Sequence, residues 1–314
     1  MKFYVVLLTL LVVAFFVTPS KKANSQFLSQ YSHSEYIGKG TVLDSAKLRI
    51  VYSLDYMPDS LNPKQILKDR KILLIGDETN HFYSHYTYLG DSALTADSDK
   101  GKYAVALNFP ADVQGEGGQI YTFHATKERT VIEPITGFST YRYQEPIEKL
   151  QWQFSTDTCT ILSYLCLKAT THFRGRDWEV WFTMEIPIDA GPWKLCGLPG
   201  LIMKASDSRG HYVYECIGIE KFVQKKEPII MRKKNYTDCT RKDYMKAQKR
   251  FYDNHVDAFL AMGVHIILRD DNDKEIEALR SPNDRHKERG YLLMRSVNIK
   301  DRHKKIPYNP IELE

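Results

Sequence analysis

Two glycines and a proline set inside an apolar run constrain this chain more than any other feature. The run is Gly197-Leu198-Pro199-Gly200-Leu201-Ile202, reached through Gly191-Pro192-Trp193-Lys194. Glycine loses the most backbone freedom on folding, and proline lacks a donor. Neither belongs in a hydrophobic segment unless a particular turn needs it. A turn built in apolar residues is buried or lines something apolar. The preceding strand, Trp178 to Pro187, ends at a proline, and the Gly191-Pro192 turn redirects the chain so that Leu201 opens the next strand. Trp193 and Leu195 are expected to cover a sheet edge, and Gly200 is expected at positive φ. On this reading Gly191, Pro192, Trp193, Gly197, Leu198, Pro199, Gly200, Leu201 and Ile202 form a structural motif.

Around that motif the pattern is mostly period two. It predicts a mainly β fold: an antiparallel meander forming a curved sheet, bowl or half-barrel, with one or two helices near the C-terminus. Lys47 to Tyr56, Lys71 to Gly76, Lys102 to Phe109, Gln119 to Ala125 and Arg129 to Pro134 read as strands. So do Leu150 to Phe154, Cys159 to Phe173, Trp178 to Pro187, Leu201 to Ala205 and His211 to Val223. Hairpin chemistry stands at Arg174-Gly175-Arg176-Asp177 and at Ser206 to Gly210. Thr240 caps a helical pattern of Tyr244, Ala247, Phe251, Val256 and Phe259, broken near Asp253-Asn254 and ended by Gly263. Val264 to Leu268 reads as a short strand, and Asp270 to Gly290 as a charged excursion.

The first residues suggest an address. Lys2 and the apolar stretch Phe3 to Val17, followed by Ala23-Asn24-Ser25, predict a signal peptide cleaved before Gln26. The expected organisation is a signal peptide over 1–25, a β-rich domain over 26–269, and a charged excursion with a returning C-terminal segment over 270–314. The protein is then periplasmic, outer-membrane associated or secreted, with no transmembrane segment after cleavage. Loss of Lys2, Lys21 and Lys22 takes the net charge from +5 to +2. That is too little to suggest a nucleic-acid partner. The basic residues between Lys225 and Arg250 read as a solvated face. Five cysteines entering an oxidising compartment allow disulfides but leave one thiol over, and the connectivity stays open.

No catalytic constellation emerges, and no catalytic, metal or cofactor residue is assigned. Glu179, Trp181 and Glu185 share one predicted strand face and could act as an acid–base pair beside a sugar platform; a solvated face is the commoner meaning. His81 and His85 have the spacing of two ligands on a helix, yet Phe82, Tyr83 and Tyr86 make the segment look extended. His124, His172 and His211 have no companion. Cys196 could be a nucleophile, a buried thiol or a disulfide partner. Gly38-Lys39-Gly40-Thr41 lacks the spacing of a phosphate loop. Tyr31, Tyr36, Tyr141 and Tyr143 lie in polar surroundings, suited to contact or to covering a sheet.

Tyr164-Leu165-Cys166-Leu167-Lys168-Ala169, Arg174-Gly175-Arg176, Trp181, Ile186-Pro187, Gly191 to Ile202 and the ending Tyr308-Asn309-Pro310-Ile311-Glu312 together resemble the GLPGLI family of Bacteroidetes envelope proteins. The resemblance covers roughly residues 26 to 314. It extends more weakly to the bowl-like N-terminal accessory domain of some secreted bacterial N-glycan amidases. It implies an exported β-rich protein and transfers no catalytic residue. The leading functional reading is a non-catalytic binding or accessory protein whose partner is an envelope protein, a glycan or a lipid. The alternatives are a glycan- or peptide-directed hydrolase using Glu179, Glu185 or Asp177, and a structural protein associated with the outer membrane.

Overall fold

The computed structural model describes residues 25–28, 40–89, 106–135, 139–223, 226–232, 236–261, 265–280, 294–302, 305 and 308–313. The expected leader up to Asn24, and Tyr31, Tyr36, Gly38, Lys39 and Gly263, lie outside these residues. Two compact units are present, one over Asn24–Tyr252 with Ile306–Glu314, the other including Asp253–Lys305.

In chain order the first unit contributes β1 (Ser25–Leu28), β2 (Thr41–Ala46), β3 (Leu48–Tyr56), β4 (Leu67–Ile75), β5 (Thr79–Ser84), β6 (Ala106–Phe109), β7 (Gln119–Phe123), β8 (Glu128–Ile135) and β9 (Ser139–Pro146). It continues with β10 (Gln153–Ile161), β11 (Tyr164–Phe173), β12 (Arg176–Thr183), β13 (Leu201–Asp207), β14 (Tyr212–Lys221), β15 (Glu227–Met231) and β16 (Thr237–Asp238). The main sheet runs β10-β11-β12-β13-β14-β3-β4-β5-β7-β8-β9-β16, antiparallel except where β16 joins β9.

This order requires curvature. The chain spreads outward from β3 to β9, crosses to the opposite end of the sheet, and returns inward from β10 to β14, which pairs with β3. On a flat sheet β10 and β9 would lie roughly 48 Å apart at about 4.8 Å per step. The crossing from Pro146 to Gln153 spans at most about 25 Å when fully extended. The sheet must therefore curl until its ends approach. Arg174, in the β11–β12 turn, reaches Glu145 of β9 at 3.1 Å and Glu148 just beyond it at 2.5 Å. The curled sheet is not closed into a barrel.

Alternation along each strand divides the buried residues between two faces. Ile50, Tyr52 and Leu54 of β3 share the inner face with Asp69, Lys71 and Leu73 of β4 and with Tyr212, Tyr214 and Cys216 of β14. The outer face is covered near its middle by a separate β2–β15 ribbon, which brings Ala46 and Ile229 onto Ile72, Leu74, Tyr83, Tyr121 and Ile132. That cover explains β4. Its first half alternates, with Lys68 and Arg70 exposed, while Lys71 to Ile75 are buried on both faces.

Several boundaries differ from the sequence expectation. Cys159 to Phe173 is not one strand but a hairpin, turned by Leu162 and Ser163 at φ 49° and 70°. Two successive left-handed residues make a tight hairpin turn, normally marked by Asn or Gly. Strand β12 stops at Thr183, before Met184, and β10 begins only at Gln153. The polar strands β5 and β9 carried no clear period-two signal. The Thr240 cap is present, with its hydroxyl accepting from the Asp243 amide at 3.2 Å, and the helix Arg241–Asp253 breaks before His255–Ala261.

In the second unit β17 (His265–Arg269) lies between antiparallel β18 (Glu275–Leu279) and parallel β19 (Met294–Asn298). Val256 and Phe259 of the helix His255–Ala261 are buried, as are Ile266 and Leu268 of the β17 it packs on. The excursion expected from Asp270 is thus partly a strand, Glu275–Leu279, which pairs with β17 and is exposed except at Leu279. Residues 281–293 lie outside the description.

The motif glycines act differently from the expectation. The left-handed position is Gly197, at φ 93°, and not Gly200. Gly200 is required for space: a Cβ there would sit 2.0 Å from the Thr183 carbonyl oxygen, a backbone atom that cannot rotate away. Gly200→Ala is expected to destabilise the fold by about 3 kcal/mol, the upper range for overpacking. Gly197→Ala should cost about 1–2 kcal/mol through its backbone alone. Urea denaturation of both variants tests that ranking; equal stability of Gly200→Ala and wild type would refute the packing argument.

Candidate functional site

The loop between β12 and β13, which carries the glycine–proline motif, folds against the inner face. Its backbone is stitched to itself and to the next strand: Leu195 N donates to Pro192 O at 3.2 Å, Leu201 N to Ile186 O at 3.0 Å, and Ile202 N to Ala190 O at 3.0 Å. Gly197 N donates to the Asp189 carboxylate. Trp193 adopts φ 54° and places its ring 5.6 Å from Trp178 and 5.4 Å from Phe173. Leu195 and Leu198 are buried. Gly191 gives Ile202 room, since a Cβ would meet its Cδ1 at 2.7 Å.

The consequence of this packing is the position of Lys194, whose side chain is wholly buried. Its ammonium meets Glu145 of β9 at 2.6 Å, Glu312 at 2.5 Å and the Tyr143 hydroxyl at 3.3 Å. It donates to Glu312 and to the Tyr143 hydroxyl, and pairs with Glu145 by charge. Glu312 also accepts from Arg241 at 2.6 Å. Burial works against the Glu312 carboxylate, but Lys194 and Arg241 hold it below the ordinary value. Arg129 donates to Lys194 O at 2.8 Å and contacts Cys196 Sγ at 3.1 Å.

Residues 308–313 are held the same way. Arg176, in the β11–β12 hairpin, is buried and donates to Asp207 at 2.6 Å, Asn309 Oδ1 at 2.8 Å, and the carbonyls of Pro310 and Ile311 at 2.5 and 2.9 Å. Asn309 in turn donates to Met57 O at 2.8 Å, and Tyr212 donates to Asn309 O at 2.6 Å. The segments that carried the family resemblance are therefore contact partners of one another.

A second ammonium lies further along the inner face. Lys71 meets Asp69 at 3.2 Å and Glu116 at 2.7 Å, and also donates to the Glu116 carbonyl. Burial opposes its charge, yet Glu116 and Asp69 lift its pKa above the ordinary lysine value. Burial raises Asp69, against the pull of Lys71. Glu133 of β8 stands apart: among the described residues no hydrogen bond or ion pair meets its carboxyl. Its Oε2 lies beside Gly117, 3.6 Å from where a Cβ would project. Burial, reinforced by Glu116, pushes its pKa up to about 8. The side chain keeps some contact with solvent although protein surrounds it, as at the floor of a concavity. Glu145, on the same face of the sheet as Glu133, meets Lys194 from the loop between β12 and β13, seven strands away from β9 at its nearer end, which identifies this face as the concave one.

The residues singled out from the sequence do not converge. Glu179 pairs with Lys168 at 2.9 Å, and Glu185 accepts from the Leu165 amide at 2.8 Å, so each is separately engaged. Asp177 pairs with His172 on an exposed turn. His81 sits buried in β5, stacked on Tyr121 at 4.1 Å and bonded to Gln119; burial lowers its pKa to about 3. His85 opens a short helical turn, residues 85–89, so the two histidines do not share a helix. The described residues hold no His/Cys/Asp/Glu cluster able to bind a metal. Burial raises the Cys196 thiol, opposite to an activated nucleophile. Tyr143 is buried with its ring 5.6 Å from Tyr244, and Tyr141 is half-buried. No described helix is long and apolar enough to cross a membrane.

Sequence reasoning missed Lys71, Lys194, Glu133 and Arg176 as inner-face groups. Only Lys194 carried a signal, as a lone charge in an apolar loop.

Residues 135–244 match a family model described as the N-terminal domain of the N-glycanase PNGase F-II. The match is to part of the chain. Two solved structures of PNGF-II, in C2 and P21 crystal forms, are each 16% identical with TM-scores of 0.43 and 0.42. They cover 63% and 65% of this chain, which in turn spans 32% of theirs. No curated protein matches.

Lys194→Met should destabilise the protein by about 3 kcal/mol, because two buried carboxylates each lose one of two cationic partners, Glu312 keeping Arg241 and Glu145 keeping Arg174. Chemical denaturation checks this, and a loss below 1 kcal/mol would mean the cluster behaves as a surface pair. Glu133 gives the opposite pH signature. Its folded pKa, about 8, lies above the ordinary 4.5. The folded form therefore holds a proton that the unfolded chain has released, and this stability is lost as pH rises through about 8. Glu133→Gln should gain on wild type by about 2 kcal/mol between pH 5 and pH 9, allowing for partial solvent screening. A stability difference that is the same at both pH values would show that Glu133 is ionised throughout.

Proposed function

We propose that the chain is an exported GLPGLI-type envelope protein whose concave face binds glycan-bearing material as an accessory surface, breaking no bonds of its own. The observation that carries this reading is the match of residues 135–244 to the N-terminal domain of an N-glycanase. The ionisable groups in that segment support the non-catalytic part. Glu145, Arg174, Arg176, Lys194 and Asp207 are committed to one another or to residues 308–313. A general acid or base must instead reach substrate. Half-buried tyrosines supply amphipathic contact area, with Tyr252 and Tyr308 stacked at 4.0 Å.

One observation favours a hydrolase as the second reading. Among the described residues no hydrogen bond or ion pair meets Glu133, and a carboxyl held protonated near neutrality is suited to general-acid work. It replaces Glu179 and Glu185 as the residue to test.

An N-glycopeptide and its deglycosylated counterpart separate the readings. Saturable binding that weakens on deglycosylation, with no glycan released, is expected, measured by fluorescence anisotropy and mass spectrometry. Released glycan that disappears in Glu133→Gln would establish the hydrolase. Neither binding nor release would overturn the glycan assignment.

A further inference from the structure

Five cysteines are present, and none is disulfide-bonded here. Their surroundings are unequal. Cys196 contacts Arg129 under the motif loop, and the Cys216 thiol turns to Gly218 O at 3.7 Å. Cys239 follows β16, its amide bonded to Arg142 O. Cys159 and Cys166 are different. They are directly opposed register partners in the β10–β11 hairpin, and the Cys166 thiol donates to Tyr164 O at 3.5 Å, at the turn that joins the two strands.

We infer that Cys159 and Cys166 form a cross-strand disulfide under oxidising conditions, stapling the hairpin at the end of the main sheet. Opposed residues of an antiparallel pair have Cα atoms about 4.5–5.5 Å apart, inside the range of about 4.4–6.8 Å that a disulfide accepts. The turn leaves no slack, because only Leu162 and Ser163 separate Ile161 from its partner Tyr164. The position also has a use. Between Phe154 and Thr158 the ladder slips register, and β10 is paired on one side only. A bond at Cys159 holds the tip beyond that slip, where Leu162 and Leu165 are exposed.

The chemistry needs a small-molecule disulfide as oxidant. Half-buried Cys159, as thiolate, attacks one sulfur of oxidised glutathione; that S–S bond breaks and one glutathione leaves as thiolate. Cys166, after losing its proton, attacks Cys159 Sγ and releases the second glutathione. Two protein thiols become one disulfide, and two electrons reduce the glutathione disulfide to two thiols. Burial raises both cysteines, Cys166 to about 11, so closure quickens as pH rises.

The full chain is incubated with oxidised glutathione across a pH series, then followed by intact mass and non-reducing peptide mapping. The expected result is a loss of about 2 Da on closure of one disulfide and a linked peptide pair containing Cys159 and Cys166. Chymotryptic cleavage at Tyr164 should slow. Cys216→Ala should keep the link, and Cys166→Ala should leave a glutathione adduct on Cys159. A Cys166–Cys216 link, a stable adduct on wild-type Cys159, or five thiols still reactive would each overturn the inference. The wild-type map decides the matter even where a variant fails to fold.

Discussion

One buried ammonium holds the first unit in its curled form. An unpaired cation inside a protein costs several kcal/mol, so Lys194 is compatible with folding only if its partners arrive with it. Those partners come from β9 and from residues 308–313, which lie far away in sequence. Lys194 is carried by the loop between β12 and β13, in the other half of the sheet. Its ion pairs therefore join the two ends of a sheet that no hydrogen-bonded ladder closes. Arg174, bridging to Glu145 and Glu148, repeats the device at the neighbouring turn.

The glycine–proline motif is best understood as the means of delivering that charge. A lysine cannot be pushed through a sheet edge into an apolar interior unless its backbone is already fixed there. Trp193 in a left-handed conformation, Gly191 against Ile202 and Gly200 against Thr183 fix it. The Trp193–Trp178–Phe173 group then shields the ion pairs from water, which strengthens them. Motif and ion cluster depend on each other, which accounts for glycines, a tryptophan and a lysine occurring together in so short a stretch.

How much of this was readable follows from where each signal lies. The alternation in β3, β12 and β14 is a local property, and it gave the fold class and most strands. The same rule failed at Leu162-Ser163, an exposed left-handed pair without the Asn or Gly that normally marks one, and at β5 and β9, where Asn80, Ser84 and Glu145 share the inner face with Phe82 and Tyr143. Asp69 and Lys71 alternate with exposed Arg70, a pattern that reads as two charges on a solvent face until Glu116 is known to stand above them. Gly200 was rightly singled out but for the wrong reason, since crowding by a distant carbonyl has no local sequence signature. The site was legible only as a motif. Its partners could not be inferred, because ion pairing between segments distant in the sequence leaves no periodicity.

The inner face also separates architecture from chemistry. Each buried lysine is held between acidic side chains, so neither cluster can take up a ligand without breaking itself. Glu133 belongs to neither. It lies within the field of Lys71 and Lys194 yet touches neither ammonium, and Glu116 and Glu312 oppose its ionisation. A carboxyl that meets no hydrogen bond or ion pair among the described residues raises the cost of the folded state as it ionises. Native structures seldom retain such a group without a use. A ligand offering hydroxyl groups, as a glycan does, would supply the hydrogen bonds that the fold withholds from Glu133. That argument ties the glycan reading to one carboxyl, and leaves the rest of the charged interior to the work of holding the sheet curled.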